Sequence, residues 1–463
     1  MTSASPGGQN PDPPQTPPRR RRWLADLAWL PGQGLCREVL IEADGDRFTS
    51  VTPAAPSAPD AEHLRGLTLP GLANAHSHAF HRALRGTTQA DRGTFWTWRE
   101  RMYEVAGRLD PDSYLALARA VYAEMALAGI TCVGEFHYVH HQPDGTRYAD
   151  PNAMGRALIQ AAAEAGLRIT LLDTCYLAGG LDKTGVLPLA GPQIRFGDGD
   201  GSGWAVRAEA FGPDHRGLLA PHAMAGAAIH SVRAVPRDQL GVVVDAAEGR
   251  PLHVHLSEQV KENDACLRAY GASPTRVLAD AGVLGPLTSV VHATHLTVDD
   301  VGLLGESATY ACFCPTTERD LGDGIGPSRA LHAAGSRLTL GSDSHAVIDL
   351  FEEMRAVELD ERLATQERGH WTAAELLTAA TRHDSLQWDD AGSIAVGNRA
   401  DLVTIATDRV RTAGTGADEQ TAVFAAVAED VTQVLVDGRV VFREGDREQL
   451  GRDLDDVIGR IWT

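Results

Sequence analysis

The sequence predicts an α/β protein: a (β/α)8 TIM-like barrel with a small composite β-sandwich domain built from both chain ends. Three observations predict it. Between residues 69 and 388, short apolar strands alternate with Ala-rich amphipathic helices, the pattern of a parallel α/β fold. That interval holds eight strand candidates, the count of the (β/α)8 barrel. On either side of it the rhythm is β-like, so the two ends can pair into one domain.

The first residues are rich in Pro, Ser and Gly, and Arg19, Arg20, Arg21 and Arg22 follow as a solvated charge run. Residues 1–22 therefore read as a disordered tail. Paired arginines before residues 23–30 invite comparison with a twin-arginine export signal. The apolar stretch is short, broken by Asp26 and without a small-residue cleavage site, which argues against it. Residues 23–68 and 389–463 read as the composite β domain, with segments such as 38–42, 392–405 and 431–438 as its strands. The barrel takes residues 69–388, with strands expected at 69–76, 130–136, 168–175, 225–230, 252–256, 289–292, 308–314 and 337–341. Helices are expected between them, for example at 111–128 and 154–165. The loose, Gly-rich segment 179–203 after the third strand reads as a lid, because loops on that face build barrel sites.

Composition narrows the partners. With 62 acidic and 42 basic side chains the net charge is -20, which disfavours nucleic acid and anionic membrane surfaces. No apolar run approaches the ~18 residues of a membrane-spanning helix. Only two lysines occur, Lys183 and Lys261. The six cysteines have no framework spacing and read as reduced thiols of a cytoplasmic protein.

Histidine carries the chemical signal. Strand 1 ends in His76-Ser77-His78, and residues i and i+2 on a strand share a face, so both imidazoles can reach one ion. Strand 5 supplies His253 and His255, followed by Glu258. Strand 6 ends at His292, and strand 8 runs into Asp343 and His345. C-terminal strand ends form the active-site face of a barrel. His76, His78, His255 and Asp343 then make a mixed nitrogen and oxygen set suited to Zn²⁺, with Fe²⁺ or Mn²⁺ also fitting. Each piece alone is a weak signal; their order on separate strand ends is not.

These residues, together with Phe95-Trp-Thr-Trp-Arg99, Glu135-Phe-His-Tyr138, His230-Ser-Val-Arg233, Pro315-Thr-Thr-Glu318 and Gly341-Ser-Asp343, resemble the metal-dependent amidohydrolase superfamily. Within it they are similar to the formimidoylglutamate deiminases, enzymes of histidine degradation. The resemblance covers roughly residues 70–430 and implies a homodimeric, zinc-dependent hydrolase that turns a linear amidine into a formyl group and ammonia. It implies His292, Glu258 and Asp343 as catalytic residues: Asp343 and His292 handle the water proton, and Glu258 protonates the departing nitrogen. A substrate with a glutamate moiety needs local cations in so acidic a protein, and Arg99 and Arg233 are the candidates, with Tyr138 and His230 as hydrogen-bond partners. The family usually has Gln where this chain has His81, and that residue contacts substrate; a His there brings a pH-dependent charge. Binuclear members bridge two ions with a Lys at the end of strand 4. Neither lysine lies there, so one ion is expected, with Glu or Cys bridges left open.

Other features read more plainly. Cys312 and Cys314 are buried thiols in a strand. His137, His140 and His141 alternate faces, so at most one approaches substrate. Trp96 and Trp98 pack or shape the site wall. Two competing functions remain: deamination of an aromatic ring such as guanine, which needs fewer arginines and more stacking surface, and a catalytically silent barrel, which a complete constellation argues against.

Overall fold

A computed structural model of the chain describes residues 20–463 apart from 56, 90, 91, 183, 184, 215 and 216. The tail up to Arg19, Lys183 and the side chain of Trp96 lie outside the described residues. Arg20, Arg21 and Arg22, read above as tail, instead open the strand Arg20–Leu30, where Arg22 pairs with Glu42 at 2.9 Å.

The barrel strands are Leu72–Ser77, Ile130–His137, Arg168–Cys175, Ala223–Ile229, Leu252–Leu256, Thr288–His292, Tyr310–Phe313 and Arg337–Leu340. They pair in parallel in chain order and are called strands 1 to 8 below. Every residue of strands 1, 2, 3, 5, 6 and 7 is buried. With both faces covered, such strands show as apolar runs in the sequence rather than alternating patterns. The helices between them start and stop on local signals. Pro111–Leu127 begins at a capping box of Asp110 and Ser113 with Pro in its first turn. Ala153–Ala165 ends at Gly166, whose φ of 78° suits glycine.

Strands 8 and 1 close the barrel. Asp343 N–H donates to the His76 carbonyl at 3.0 Å, and His78 N–H donates to the Asp343 carbonyl at 3.2 Å. Asn74 reinforces the seam: it donates to Ser342 Oγ at 2.7 Å and accepts from Ser342 N–H at 2.9 Å. Gly341 makes this approach possible, since a Cβ there would lie 2.8 Å from the His76 Cβ and 2.9 Å from Cys314 Sγ. Both cysteines of the pair Cys312 and Cys314 are buried thiols against Ala75 and Val291.

The first expected barrel strand is two strands. Residues up to Pro70 belong to Glu62–Pro70 in the other sheet, and Leu72 starts the barrel. That other sheet has seven strands: Arg20–Leu30, Gly34–Asp44, Arg47–Thr52 and Glu62–Pro70 from one end, Leu402–Ile405, Val431–Val436 and Arg439–Arg443 from the other. The ends join where Leu402–Ile405 runs antiparallel to Glu62–Pro70. The edge strand Arg47–Thr52 comes back to the segment before Leu402, with Phe48 N–H donating to the Asn398 carbonyl at 2.9 Å. The sheet thus curls around its own core of Trp23, Ile41, Phe48, Leu64, Leu402 and Leu435.

The end of the chain departs from the expected β domain. Arg447–Trp462 is a helix packed on Pro111–Leu127. Trp462 Nε1 donates to the Ala83 carbonyl at 3.0 Å, and the Arg108 guanidinium lies 5.7 Å from the Trp462 ring. Among the described residues no helix is long and apolar enough to cross a membrane.

Candidate active site

Strands 1, 5 and 8 bring His76, His78, His255 and Asp343 together, with one ligating atom of each within 4.8 Å of the others. His76 Nε2 lies 3.1 Å from His255 Nε2 and 3.4 Å from Asp343 Oδ1; His78 Nε2 lies 3.3 Å from the same oxygen. Two of the three remaining ring nitrogens are held from behind, and His76 Nδ1 is buried without a hydrogen-bond partner. His78 Nδ1 is 2.9 Å from the Phe136 carbonyl and His255 Nδ1 is 2.9 Å from the His230 carbonyl. A carbonyl only accepts, so the Nδ1 of His78 and of His255 carries the proton and their Nε2 lone pairs point inward. Burial lowers His78 to about 3 and holds His76 and His255 below the ordinary histidine value. Burial alone would raise Asp343, but His76, His292 and His78 outweigh it and keep the carboxylate ionised. Three neutral imidazoles and one carboxylate with converging lone pairs repel one another unless a cation sits among them, so the donor set fits a divalent metal.

His292 borders this set. Its Nε2 is 3.7 Å from Asp343 Oδ2 and 4.0 Å from Glu258 Oε1. Its Nδ1 faces Glu318 Oε1 at 3.3 Å, and the same oxygen accepts Cys314 N–H at 2.9 Å. The backbone here is strained: Ser257, His292, Ala293, Asp343 and His345 all have φ between 38° and 70°. Such non-glycine conformations cost about 1–3 kcal/mol each and cluster where function requires them.

A cavity of about 770 Å³ opens over His78, His255 and Asp343 and is lined by every expected substrate contact: His81, Arg99, Tyr138, His230 and Arg233. His81 Nε2 is 3.0 Å from the Tyr138 hydroxyl. The expected pH-dependent charge at His81 is not what the surroundings favour, because burial and the neighbouring His78 hold it neutral. Arg99 Nε donates to the Tyr103 hydroxyl at 2.8 Å. Arg233 is less simple than a carboxylate clamp: its Nη2 donates to Glu258 Oε2 at 3.2 Å, and its Nε faces Glu262 Oε2 at 3.3 Å. The segment 179–203 folds into a hairpin, Gly180–Asp182 with Gly185–Leu187, and Leu181, Leu187 and Phe196 form part of the cavity wall. Trp98 also shapes the wall, its ring 5.1 Å from that of His81.

His137, His140 and His141 stay out of the cavity. His137 and His140 do approach Asp173 closely enough to suggest a second ion. Asp173 is already taken: Arg207 donates to both its oxygens at 2.8 Å, and Trp204 Nε1 donates at 2.8 Å. The cation there is a guanidinium.

Three buried carboxylates were given no role in the sequence reading, although Glu135 and Glu318 stand within its quoted motifs. Glu318 lies just past strand 7, on the active-site face. Glu262 follows Glu258 by four residues and lies in the first turn of helix Val260–Tyr270. Glu135 interrupts the apolar run of strand 2, accepts from Ser77 Oγ and Ala79 N–H at 2.7 and 2.6 Å, and is pushed up to about 8 by burial. A charged residue within a buried strand was the available signal for Glu135; for Glu318 and Glu262 it was a carboxylate in the first turn of the helix that follows a site strand.

The sequence model of the amidohydrolase family matches residues 67–441. The chain belongs to the amidohydrolase family. This amidohydrolase is 35% identical over 459 residues to a formimidoylglutamate deiminase of Pseudomonas aeruginosa, covering 95% of this chain and 99% of that protein. It is 29% identical over 424 residues to an 8-oxoguanine deaminase of the same organism, covering 88% and 89%. Among solved structures, an amidohydrolase from Brucella melitensis superimposes with a TM-score of 0.84 at 30% identity, covering 96% of this chain and all of that one.

Proposed function

We propose that this amidohydrolase hydrolyses N-formimino-L-glutamate to N-formyl-L-glutamate and ammonia, a step of histidine degradation, using one zinc ion held by His76, His78, His255 and Asp343. The observation that carries the reading is the cavity in which His78, His255 and Asp343 of the metal-ligand set, the Glu258–His292 pair and two arginines all face the same space. Similarity over nearly the full length to a formimidoylglutamate deiminase supports it.

A divalent cation in this site supplies a Lewis acid that activates water and stabilises developing negative charge. The side chains do the remainder. Asp343 and His292, 3.7 Å apart, accept the proton of the attacking water and hold it at His292 Nε2. The water oxygen bonds to the formimino carbon, and the carbon–nitrogen bond then breaks. Glu258 takes the proton held at His292 Nε2, 4.0 Å away, and passes it to the departing nitrogen, while Asp343 takes the remaining hydroxyl proton, so ammonia leaves and a formyl carbonyl remains. A cationic amidine is attracted to the carboxylates of Glu258 and Asp343, and Arg99 and Arg233 take the substrate carboxylates. Tyr138, His81 and His230 contribute hydrogen bonds.

A second reading, deamination of a purine-like ring, has its own support in the 8-oxoguanine deaminase relative and in the aromatic wall of Trp98, Tyr103, Tyr176 and Phe196. The two arginines speak for the carboxylated substrate. Ammonia release by zinc-loaded protein is the test, with N-formimino-L-glutamate, N-formimino-glycine and guanine side by side. Release from the glutamate compound alone is expected. Release from guanine alone would overturn the substrate and keep the hydrolase.

A further inference from the structure

We infer that Glu262 is a positioning residue: it tethers Arg233 and thereby keeps one oxygen of Glu258 directed at His292. The inference rests on the functional reading above. Glu262 sits in the first turn of helix Val260–Tyr270 with its side chain fully buried. Neither of its oxygens makes a hydrogen bond of normal geometry, and its nearest charged neighbour is Arg233 Nε at 3.3 Å. A buried carboxylate this poorly hydrogen-bonded is costly unless a cation compensates it, and Arg233 is that cation.

The arrangement divides one guanidinium between two carboxylates. Left to a single partner, a guanidinium prefers two parallel hydrogen bonds to both oxygens of a carboxylate. Glu258 would then lose both oxygens to Arg233. With Nε drawn to Glu262, only Nη2 reaches Glu258, through Oε2 at 3.2 Å. Oε1 stays turned to His292 Nε2 at 4.0 Å, where the proton must pass. Nη1 is the donor left for a substrate carboxylate. Burial would lower the Arg233 pKa, yet the charges of Glu262 and then Glu258 outweigh it, so the cation is shared and not lost.

The variant Glu262→Gln keeps the shape and removes the charge. In zinc-loaded enzyme its kcat for N-formimino-L-glutamate is expected to fall about tenfold or more, with zinc content unchanged. In an Arg233→Met background the same substitution should leave kcat where Arg233→Met put it, and should raise Tm by removing a buried carboxylate that has lost its cation. Equal falls of kcat in both backgrounds would overturn the tether. A crystal structure of Glu262→Gln decides it without kinetics: Arg233 paired with both oxygens of Glu258 is expected, and an unmoved Arg233 overturns the inference. If the wild-type enzyme leaves N-formimino-L-glutamate untouched, the substrate reading fails, while that crystal structure still tests the tether.

Discussion

Arg168 is the buried cation that joins the barrel to the curled sheet, and removing its partner gives a prediction that needs no substrate. Arg168 opens strand 3 with none of its side chain exposed. It pairs through two nitrogens with Asp401, whose side chain is 1% exposed, and reaches Asp437, 14% exposed, at 3.0 Å. Asp401 also accepts Asp437 N–H at 3.0 Å. Replacing Asp401 with Ala leaves a buried guanidinium with one partial partner. Breaking a buried pair from one side costs about 3–5 kcal/mol, and the surviving Asp437 contact puts this case near ~3 kcal/mol. Spread over an unfolding entropy of roughly 2 cal/mol/K per residue, that lowers the thermal midpoint by roughly 3 °C, read by scanning calorimetry. Asp437→Ala, which removes the more exposed partner, should cost less. The pH dependence has a definite sign. Burial would raise Asp401, but Arg168 outweighs it and holds the carboxyl below its ordinary value. The wild-type advantage is therefore full above the unfolded pKa of ~3.9 and is lost as pH falls through the lower folded value. An Asp401→Ala protein with wild-type stability at neutral pH would refute the reasoning, because it would mean that the guanidinium is not dependent on this carboxylate.

Three further predictions concern the site. Glu258→Gln should slow turnover by about 100-fold or more while zinc per chain, measured by mass spectrometry, stays at one equivalent; near-normal turnover would remove its acid role. Glu318→Gln exchanges one acceptor beside His292 Nδ1 for an amide, and kcat should drop between about 10- and 100-fold with KM little changed. A KM effect alone would assign Glu318 to substrate binding instead. Gly341→Ala places a methyl within 2.9 Å of the His76 side chain and Cys314, so it should cost about 1–3 kcal/mol and weaken metal retention on dialysis. Full zinc content with an unchanged Tm would show that the barrel seam can yield.

Much of the fold was legible because buried parallel strands leave a direct trace. Strands 3 and 5, Arg168–Cys175 and Leu252–Leu256, match the sequence expectation to the residue, since apolar runs end where loops begin. The four candidate ligands were legible from a strand's two-residue period and the polarity of barrel strand ends, and the fold does bring His76, His78, His255 and Asp343 together. Glu318 and Glu262 were given no role although each stands close to a recognised residue, because a carboxylate after a strand or in a first helical turn is ordinarily solvated. Arg447–Trp462 was read as β although it is helical; only Leu454 and Ile461 of it are buried, so its apolar stripe is thin.

The sequence by itself determined the barrel, the composite second domain and the grouping of His76, His78, His255 and Asp343, all of which follow from local periodicity and residue order. Tertiary structure alone decided which charges meet. Arg168 and Asp401 are 233 positions apart, and Arg233 and Glu258 are 25 apart on successive strand-end loops. Backbone periodicity reports which way a side chain points, but the strength and partner of a charge depend on distance and on excluded water, and both exist only once the chain has folded.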